Sequence, residues 1–158
     1  MNGIQVPILM GDETKNPPSS DNTVINNLVM GGERNISIGT GVFENGLVAN
    51  NTFVNASNTA GSESANIRRG RVTYTRTRFV NNIIYQDDAV NMGINDATGV
   101  TLGYNIWSQT PHRNCLGPED LIADPQLAKT GTTGPGLLTP EWFKILENSP
   151  ARNMGTLL

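Results

Sequence analysis

Short apolar runs recur along this chain on both sides of a polar turn that contains asparagine. The turns are the dipeptides Asn26-Asn27, Asn50-Asn51, Asn81-Asn82 and Tyr104-Asn105, whose second residues are 24, 31 and 23 positions apart. Apolar residues stand three positions before and two positions after that asparagine in every copy: Val24, Val48, Phe79 and Leu102 before it, and Val29, Phe53, Ile84 and Trp107 after it. This pattern predicts a repeated corner whose flanking strands point one residue each into a shared core.

A further strand signal lies about eight residues after the second residue of the pair in two copies, at Asn35–Ile38 in the first and at Val90–Ile94 in the third. A unit of this length holds three short strands and three turns, which is one coil of a parallel β-helix. An antiparallel sandwich, the alternative, does not require the same residue at this spacing. We therefore predict an all-β fold, a short right-handed parallel β-helix of about four coils.

The asparagine column has a mechanical explanation. Stacked coils place equivalent corners about 4.8 Å apart, and asparagine tolerates the left-handed backbone that corners need. Its amide can donate to one neighbouring coil and accept from the other, which forms a ladder. We interpret these asparagines as structural, in keeping with the 20 asparagines among 158 residues.

The chain also resembles the right-handed parallel β-helix superfamily of pectate-lyase-like proteins. The resemblance covers residues 20–156 and includes a tail with Asp124-Pro125-Gln126-Leu127 and Ser149-Pro150-Ala151 followed by Gly155. The segment Arg152-Asn153-Met154 departs from the family, which has an acidic residue there. The resemblance is to the C-terminal coils and tail of a longer member. It implies a fold that is often extracellular and that hosts lyases, hydrolases, epimerases, tailspikes and adhesins, so the fold alone does not fix an activity.

We divide the single domain into an N-terminal partial coil or loop (1–22), β-helix coils (23–115) and a capping tail (116–158). The tail contains a predicted short helix, 140–146, with Thr139 as N-cap and Pro140 at its first position. We expect its apolar residues, Trp142, Phe143, Ile145 and Leu146, to plug the core. No comparable cap precedes Thr23, so we predict a homo-oligomer formed through the uncapped end or a flat face.

Charge and composition exclude several classes. The 11 basic and 14 acidic residues give a net charge of −3, which disfavours nucleic-acid binding. The sequence shows neither an apolar run long enough to span a membrane nor a recognisable signal peptide, and the localisation stays open. One cysteine and one histidine exclude an internal disulfide and a zinc site of several cysteines or histidines.

The best candidates for chemistry are Arg76 and Arg78, which precede the inward residue Phe79. Strand alternation predicts that both point outward, with Tyr74 on the same face. This set could bind a sugar acid, with Tyr85 as a further ligand-binding candidate. An ordinary solvated strand face explains the same pattern.

Three weaker candidates remain. Asp87 and Asp88, with Asn91 and Asp96 nearby, could hold Ca²⁺, although they also read as a coil turn and no calcium-loop pattern is present. The basic segment 68–71 could bind an anion or serve as a solvated loop. His112 and Cys115 are close in sequence, but we expect Cys115 to be a small buried residue.

The sequence favours a β-helix module without catalysis of its own, which binds a polysaccharide or a partner protein through a flat polar face and needs no cofactor. The alternative is a polysaccharide lyase that acts on acidic glycans by β-elimination, with Arg76, Arg78 and Tyr74 as its catalytic candidates and Ca²⁺ as its metal. A third hypothesis is a piece of a longer β-helix whose function needs further coils.

Overall fold

A computed structural model describes residues 7–10, 18–38, 41–56, 63–64, 72–88, 91–92, 98–134 and 137–158. Its strands are short and outnumber its two 3-10 turns, Arg113–Cys115 and Pro140–Phe143. The strands are β1 (Ile8–Met10), β2 (Ser19–Ser20), β3 (Thr23–Ile25), β4 (Leu28–Met30), β5 (Ile36–Ile38), β6 (Gly41–Glu44), β7 (Leu47–Ala49), β8 (Thr52–Val54), β9 (Glu63–Ser64), β10 (Val72–Thr75), β11 (Thr77–Val80), β12 (Ile83–Tyr85), β13 (Asn91–Met92), β14 (Val100–Gly103), β15 (Ile106–Trp107), β16 (Leu121–Ile122), β17 (Thr133–Gly134) and β18 (Leu137–Leu138). The all-β prediction is confirmed.

The strands stack in parallel, coil upon coil. The first sheet has the order β2-β6-β10, the second β3-β7-β11-β14 and the third β4-β8-β12-β15-β16, and two further parallel pairs join β1 to β5 and β9 to β13. Each turn of the chain thus adds one strand to each sheet, which is the architecture of a parallel β-helix. Only β17 and β18 form an antiparallel pair among the described strands.

The repeated apolar columns form the interior. Val48 lies in register with Val24 and Phe79, and Phe53 lies in register with Val29 and Ile84. The Phe79 ring stacks between Phe53 and Trp107, with centroid distances of 6.3 and 6.4 Å. The sequence predicted these positions because the side chains of stacked coils align along the axis.

Each asparagine corner divides two tasks between neighbouring residues. The first residue of each pair has the left-handed backbone, with φ of 60° at Asn26, 55° at Asn50, 57° at Asn81 and 58° at Tyr104. The second residue forms the ladder. The prediction that the second residue also has the left-handed backbone is therefore wrong. The left-handed turn at the first residue directs the next side chain inward, where its amide meets the adjacent coils.

The ladder is polar and continuous. Asn82 Oδ1 accepts from the backbone N–H and the Nδ2 of Asn51, both at 3.0 Å, and Asn105 Oδ1 accepts the same pair from Asn82 at 3.0 and 3.1 Å. Asp120 ends the series, since its Oδ1 accepts from the N–H and Nδ2 of Asn105 at 2.8 and 3.0 Å. Its Oδ2 accepts from Trp107 Nε1 and Gly117 N–H at 2.9 and 3.0 Å.

The C-terminal tail covers the outside of the third sheet instead of plugging the end of the helix. Trp142 and Phe143 are buried against Val54, Tyr85 and Leu127 in a cluster separate from the coil interior. The predicted helix is one 3-10 turn that ends at Phe143, and Thr139 makes no side-chain capping bond. The chain then extends, and Ile145 forms an antiparallel bridge with Leu127. Ile145 and Leu146 are 37% and 49% exposed and do not enter the coil interior. Cys115, immediately before the tail region, is fully buried in the coil core.

Candidate functional site

A second column of left-handed corners runs between the first and second sheets. It contains Asp21, Asn45, Arg76 and Gly99, with φ of 57°, 53°, 51° and 83°. Arg76 Nε donates to Asn45 Oδ1 at 2.7 Å, and Asn45 Nδ2 donates to Asp21 Oδ1 at 3.1 Å. A guanidinium, an amide and a carboxylate thus form one aligned chain of hydrogen bonds, which polarise one another in the same direction.

Arg78 lies two residues further on, at the outer side of β11. Phe79 is fully buried, so strand alternation points Arg78 away from the core. Its register partners on the neighbouring coils are Leu47 and Thr101. Neither Arg76 nor Arg78 forms an ion pair within the described part of the chain. We call Arg76 and Arg78, with Asn45 as support, the arginine face.

Tyr74 does not share this face, which corrects the prediction from strand alternation. It is 5% exposed and packs edge-on against Phe43, with the ring centroids 6.3 Å apart. Alternation fails because β10 ends at Thr75 and the left-handed residue Arg76 turns the chain into β11. Tyr74 is therefore a core residue by position.

Tyr85 lies under the tail. Its hydroxyl donates to Asp87 Oδ1 at 2.6 Å, and Lys129 Nζ donates both to the Tyr85 hydroxyl and to Asp87 Oδ1, the latter at 2.9 Å. Asn55 Nδ2 donates to Asp87 Oδ2 at 2.7 Å. Lys129 Nζ also lies 4.2 Å from the centroid of the Tyr85 ring. We call Asn55, Tyr85, Asp87 and Lys129 the tail clamp, because Lys129 belongs to the tail and the others to the coils.

The clamp shifts the pKa of each of its ionisable groups. Burial alone would raise the pKa of Asp87, but hydrogen bonds from Tyr85, Asn55 and Lys129 and the charge of Lys129 lower it to about 2. Burial and the hydrogen bond to Asp87 raise the pKa of Tyr85. Burial acts to lower the pKa of Lys129, but its bonds to Tyr85 and Asp87 outweigh this and raise it. The three groups satisfy one another, which is typical of a structural fastening.

The described residues give little support to a calcium site at Asp87 and Asp88. Asp87 is held in the clamp, and Asp88 is exposed, with its carbonyl accepting from Gln109 Nε2 at 3.0 Å. No group of three or more His, Cys, Asp or Glu residues in the described ranges is arranged to hold a metal ion. The Asn91 side chain, Asp96 and the basic segment 68–71 lie outside the description.

His112 and Cys115 define the first 3-10 turn. His112 Nδ1 accepts from the Asn114 N–H at 3.3 Å, and the Cys115 N–H donates to the His112 carbonyl at 2.8 Å. His112 is exposed, whereas Cys115 is buried. The prediction that Cys115 is a small buried residue is confirmed.

Sequence reasoning missed Asn45 and Lys129. The corner column of Asn45 has the same spacing as the asparagine ladder, but its members share a backbone conformation and no residue type. Lys129 reaches Asp87 across 42 positions of the sequence, and no local pattern marks that contact.

Comparison with known proteins adds no relative. The chain matches no protein-family model, no curated protein and no solved structure. In the described part of the chain, no helix is long and apolar enough to cross a membrane.

Proposed function

We propose that this chain is a non-catalytic β-helix module of the pectate-lyase-like kind that binds an acidic polysaccharide through its arginine face. The observation that carries the proposal is the hydrogen bond from Arg76 Nε to Asn45. It fixes one side of the guanidinium and leaves the two terminal nitrogens without an ion-pair partner among the described residues.

A guanidinium in this state suits a carboxylate. Its two terminal nitrogens form a planar fork that donates two parallel hydrogen bonds to a carboxylate. The rotamer entropy lost on binding falls because Asn45 already orients the side chain. Arg78 adds a second positive charge on the adjacent strand, in a chain whose net charge is −3.

The stacked coils suit a polymer. Equivalent positions on neighbouring coils recur about every 4.8 Å, so a linear chain of sugars meets a surface with a regular repeat. Thr101 and Leu47 flank Arg78 on the neighbouring strands and offer a hydroxyl and an apolar surface on either side of it.

Binding is favoured over β-elimination because the groups that a lyase would need lie apart. A lyase needs a base and a site that neutralises the uronate carboxylate around one carbon. Tyr74 lies in the core, and Tyr85 and Lys129 are joined to Asp87 in the clamp.

The test is a glycan array with pectate, alginate and glycosaminoglycans beside neutral glycans, followed by calorimetric titration of any hit. We expect acidic glycans alone to bind at the arginine face. Arg76→Ala and Arg78→Ala should each weaken binding by about ten-fold or more, as the loss of a charged hydrogen bond predicts. Arg113→Ala, at an exposed arginine elsewhere, is the matched control.

The same samples are followed by ultraviolet absorbance for unsaturated uronate products, with Ca²⁺ added. Product formation that disappears in Arg76→Ala would replace the proposal with the lyase hypothesis. Binding that survives both arginine substitutions, or no binding to any acidic glycan, would refute it.

A further inference from the structure

The corner column that supports the arginine face carries a negative charge at one coil and a positive charge two coils further on. Backbone hydrogen bonds align its corners. The Asp21 N–H donates to the Glu44 carbonyl at 3.0 Å, one coil further on. The Asn45 N–H donates in the same way to the Thr75 carbonyl, also at 3.0 Å. The corner side chains therefore stack along the axis, and Asp21 lies two coil steps from Arg76, about 10 Å away.

The charge of Asp21 is not neutralised. Asp21 is exposed, and its Oδ1 accepts from Asn45 Nδ2 at 3.1 Å. The Asn45 amide between Asp21 and Arg76 is uncharged, so it orients both side chains without cancelling either charge. Neither Asp21 nor Glu44, which adds a carboxylate on the coil of Asn45, forms an ion pair within the described part of the chain. A ligand along this column therefore meets a cation at one coil and an anion two coils away.

The column is open on the other side of Arg76. The next corner is Gly99, with φ of 83°. A Cβ atom at this position would lie 2.3 Å from the Tyr74 carbonyl oxygen, so this corner carries no side chain. On the same coil Thr101, the register partner of Arg78, is exposed and uncharged. An acidic ligand is thus unopposed at Gly99 and Thr101 and meets negative charge toward Asp21.

We infer that Asp21 determines the specificity of the arginine face, which selects a glycan with widely spaced carboxylates over a uniform polyuronate. This inference rests on the binding function proposed above. A polyuronate has a carboxylate on every sugar unit, so a chain along the column brings one to Asp21 while another is bound at Arg76. Like charges in contact repel even in water, which weakens binding by about five-fold. A single uronate on a neutral backbone avoids this repulsion.

The experiment measures the binding of two glycans to the full chain by calorimetry, at an ionic strength of about 0.1 M. One is an oligogalacturonate that spans the column, and the other is a glucuronoxylan oligosaccharide with one uronate on a neutral backbone. Asp21→Asn should tighten the binding of oligogalacturonate by about five-fold. It should change the binding of glucuronoxylan by less than about two-fold, because that uronate is bound about a Debye length from Asp21.

The variant keeps the corner intact, because the amide oxygen of asparagine also accepts from Asn45 and asparagine tolerates the left-handed backbone. Thermal melts verify its fold. Asp88→Asn, at an exposed acidic residue elsewhere, changes the net charge equally and is the matched control. The gain in Asp21→Asn should shrink at 1 M salt, where the Debye length is about 3 Å.

Equal binding of oligogalacturonate to the unmodified chain and to Asp21→Asn would overturn the inference and leave the proposed function in place. A gain of the same size in Asp88→Asn, or for glucuronoxylan, would also overturn it, because net charge alone would then explain the effect. If neither glycan binds to the unmodified chain or to Asp21→Asn, the proposed function is wrong and the inference fails with it.

Discussion

At the scale of single residues, buried side-chain amides hold neighbouring coils together. Asn51, Asn82 and Asn105 are each at most 1% exposed, and each bonds to both neighbouring levels of the ladder. A buried polar group is costly unless it is paired. The ladder therefore fixes the coil register as well as satisfying its members.

Replacing Asn82 with alanine should lower the free energy of unfolding by about 1–3 kcal/mol. The change removes the amide bonds to Asn105 and to two backbone carbonyls and leaves the Asn51 donors without Asn82 Oδ1. Denaturant unfolding measures the effect, with Asn148→Ala as the exposed control. Equal stability of the two variants would show that the ladder contributes nothing.

Asp120 should be required for stability in the same way as the asparagines of the ladder. Four N–H groups point at its two oxygens. In Asp120→Asn one oxygen becomes an amino group, which would face donors, so we expect a loss of about 1–3 kcal/mol of unfolding free energy. Glu119→Gln, at the exposed neighbour, should be neutral, and a neutral Asp120→Asn would contradict this reading.

The sequence reveals the ladder but not its end. The asparagine pairs recur at the coil spacing, so the core columns and the ladder could be predicted from identity and distance. Asp120 follows Asn105 by only 15 positions and is not asparagine. Neither its residue type nor its spacing therefore marks it as part of the ladder. Tyr74 was misplaced because alternation cannot foresee a corner between two strands of one coil.

At the scale of elements, the third sheet carries side chains that pack on both of its faces. Phe53 and Ile84 face the coil interior, while Val54 and Tyr85 face the tail. The tail is fastened at two points, by the clamp at Lys129 and by the amide of Asn81. Apolar residues in the tail predicted its burial, but nothing in their pattern chose the outer face over the open end.

The clamp makes stability depend on pH. The pKa of Asp87 is about 2 in the folded chain against 3.8 when unperturbed, so its contribution is present above about pH 4 and is lost as the pH falls toward 2. Tyr85 and Lys129 act at alkaline pH because their pKa values are raised. Their contribution to the free energy of unfolding is lost as the pH rises beyond their usual pKa values near 10.

Asp87→Asn should therefore flatten the acid limb of the melting temperature between about pH 4 and pH 2. Because Asp87 and Lys129 are partly exposed, solvent screening keeps the expected loss at neutral pH to about 1 kcal/mol. Thermal melts across this range measure it, with Asp88→Asn as the matched control. An unchanged acid limb would mean that Asp87 does not couple the stability of the fold to pH.

At the scale of the whole molecule, the two ends of the β-helix differ. Asp120 closes the ladder at the C-terminal end, whereas β2, β3 and β4 are the outermost strands of their sheets among the described residues. Edge strands present unpaired backbone groups that favour association. The homo-oligomer expected from the sequence stays a prediction.

Light scattering at micromolar concentration tests this expectation. We expect a mass above that of one chain, which is 17.0 kDa. Leu28→Lys, which puts a charge on the outermost strand at a residue that is 40% exposed, should shift the mass toward the monomer. A monomer alone in the unmodified protein would refute the prediction.

The central claim is that the arginine face recognises an acidic polysaccharide. The most direct measurement is an NMR titration that follows the arginine Nε–H signals while oligogalacturonate is added to the full chain. We predict that the signals of Arg76 and Arg78 move together and saturate, while those of Arg113 and Arg152 stay in place. Signals that stay in place at Arg76 and Arg78, or that move equally at all four arginines, would contradict the claim.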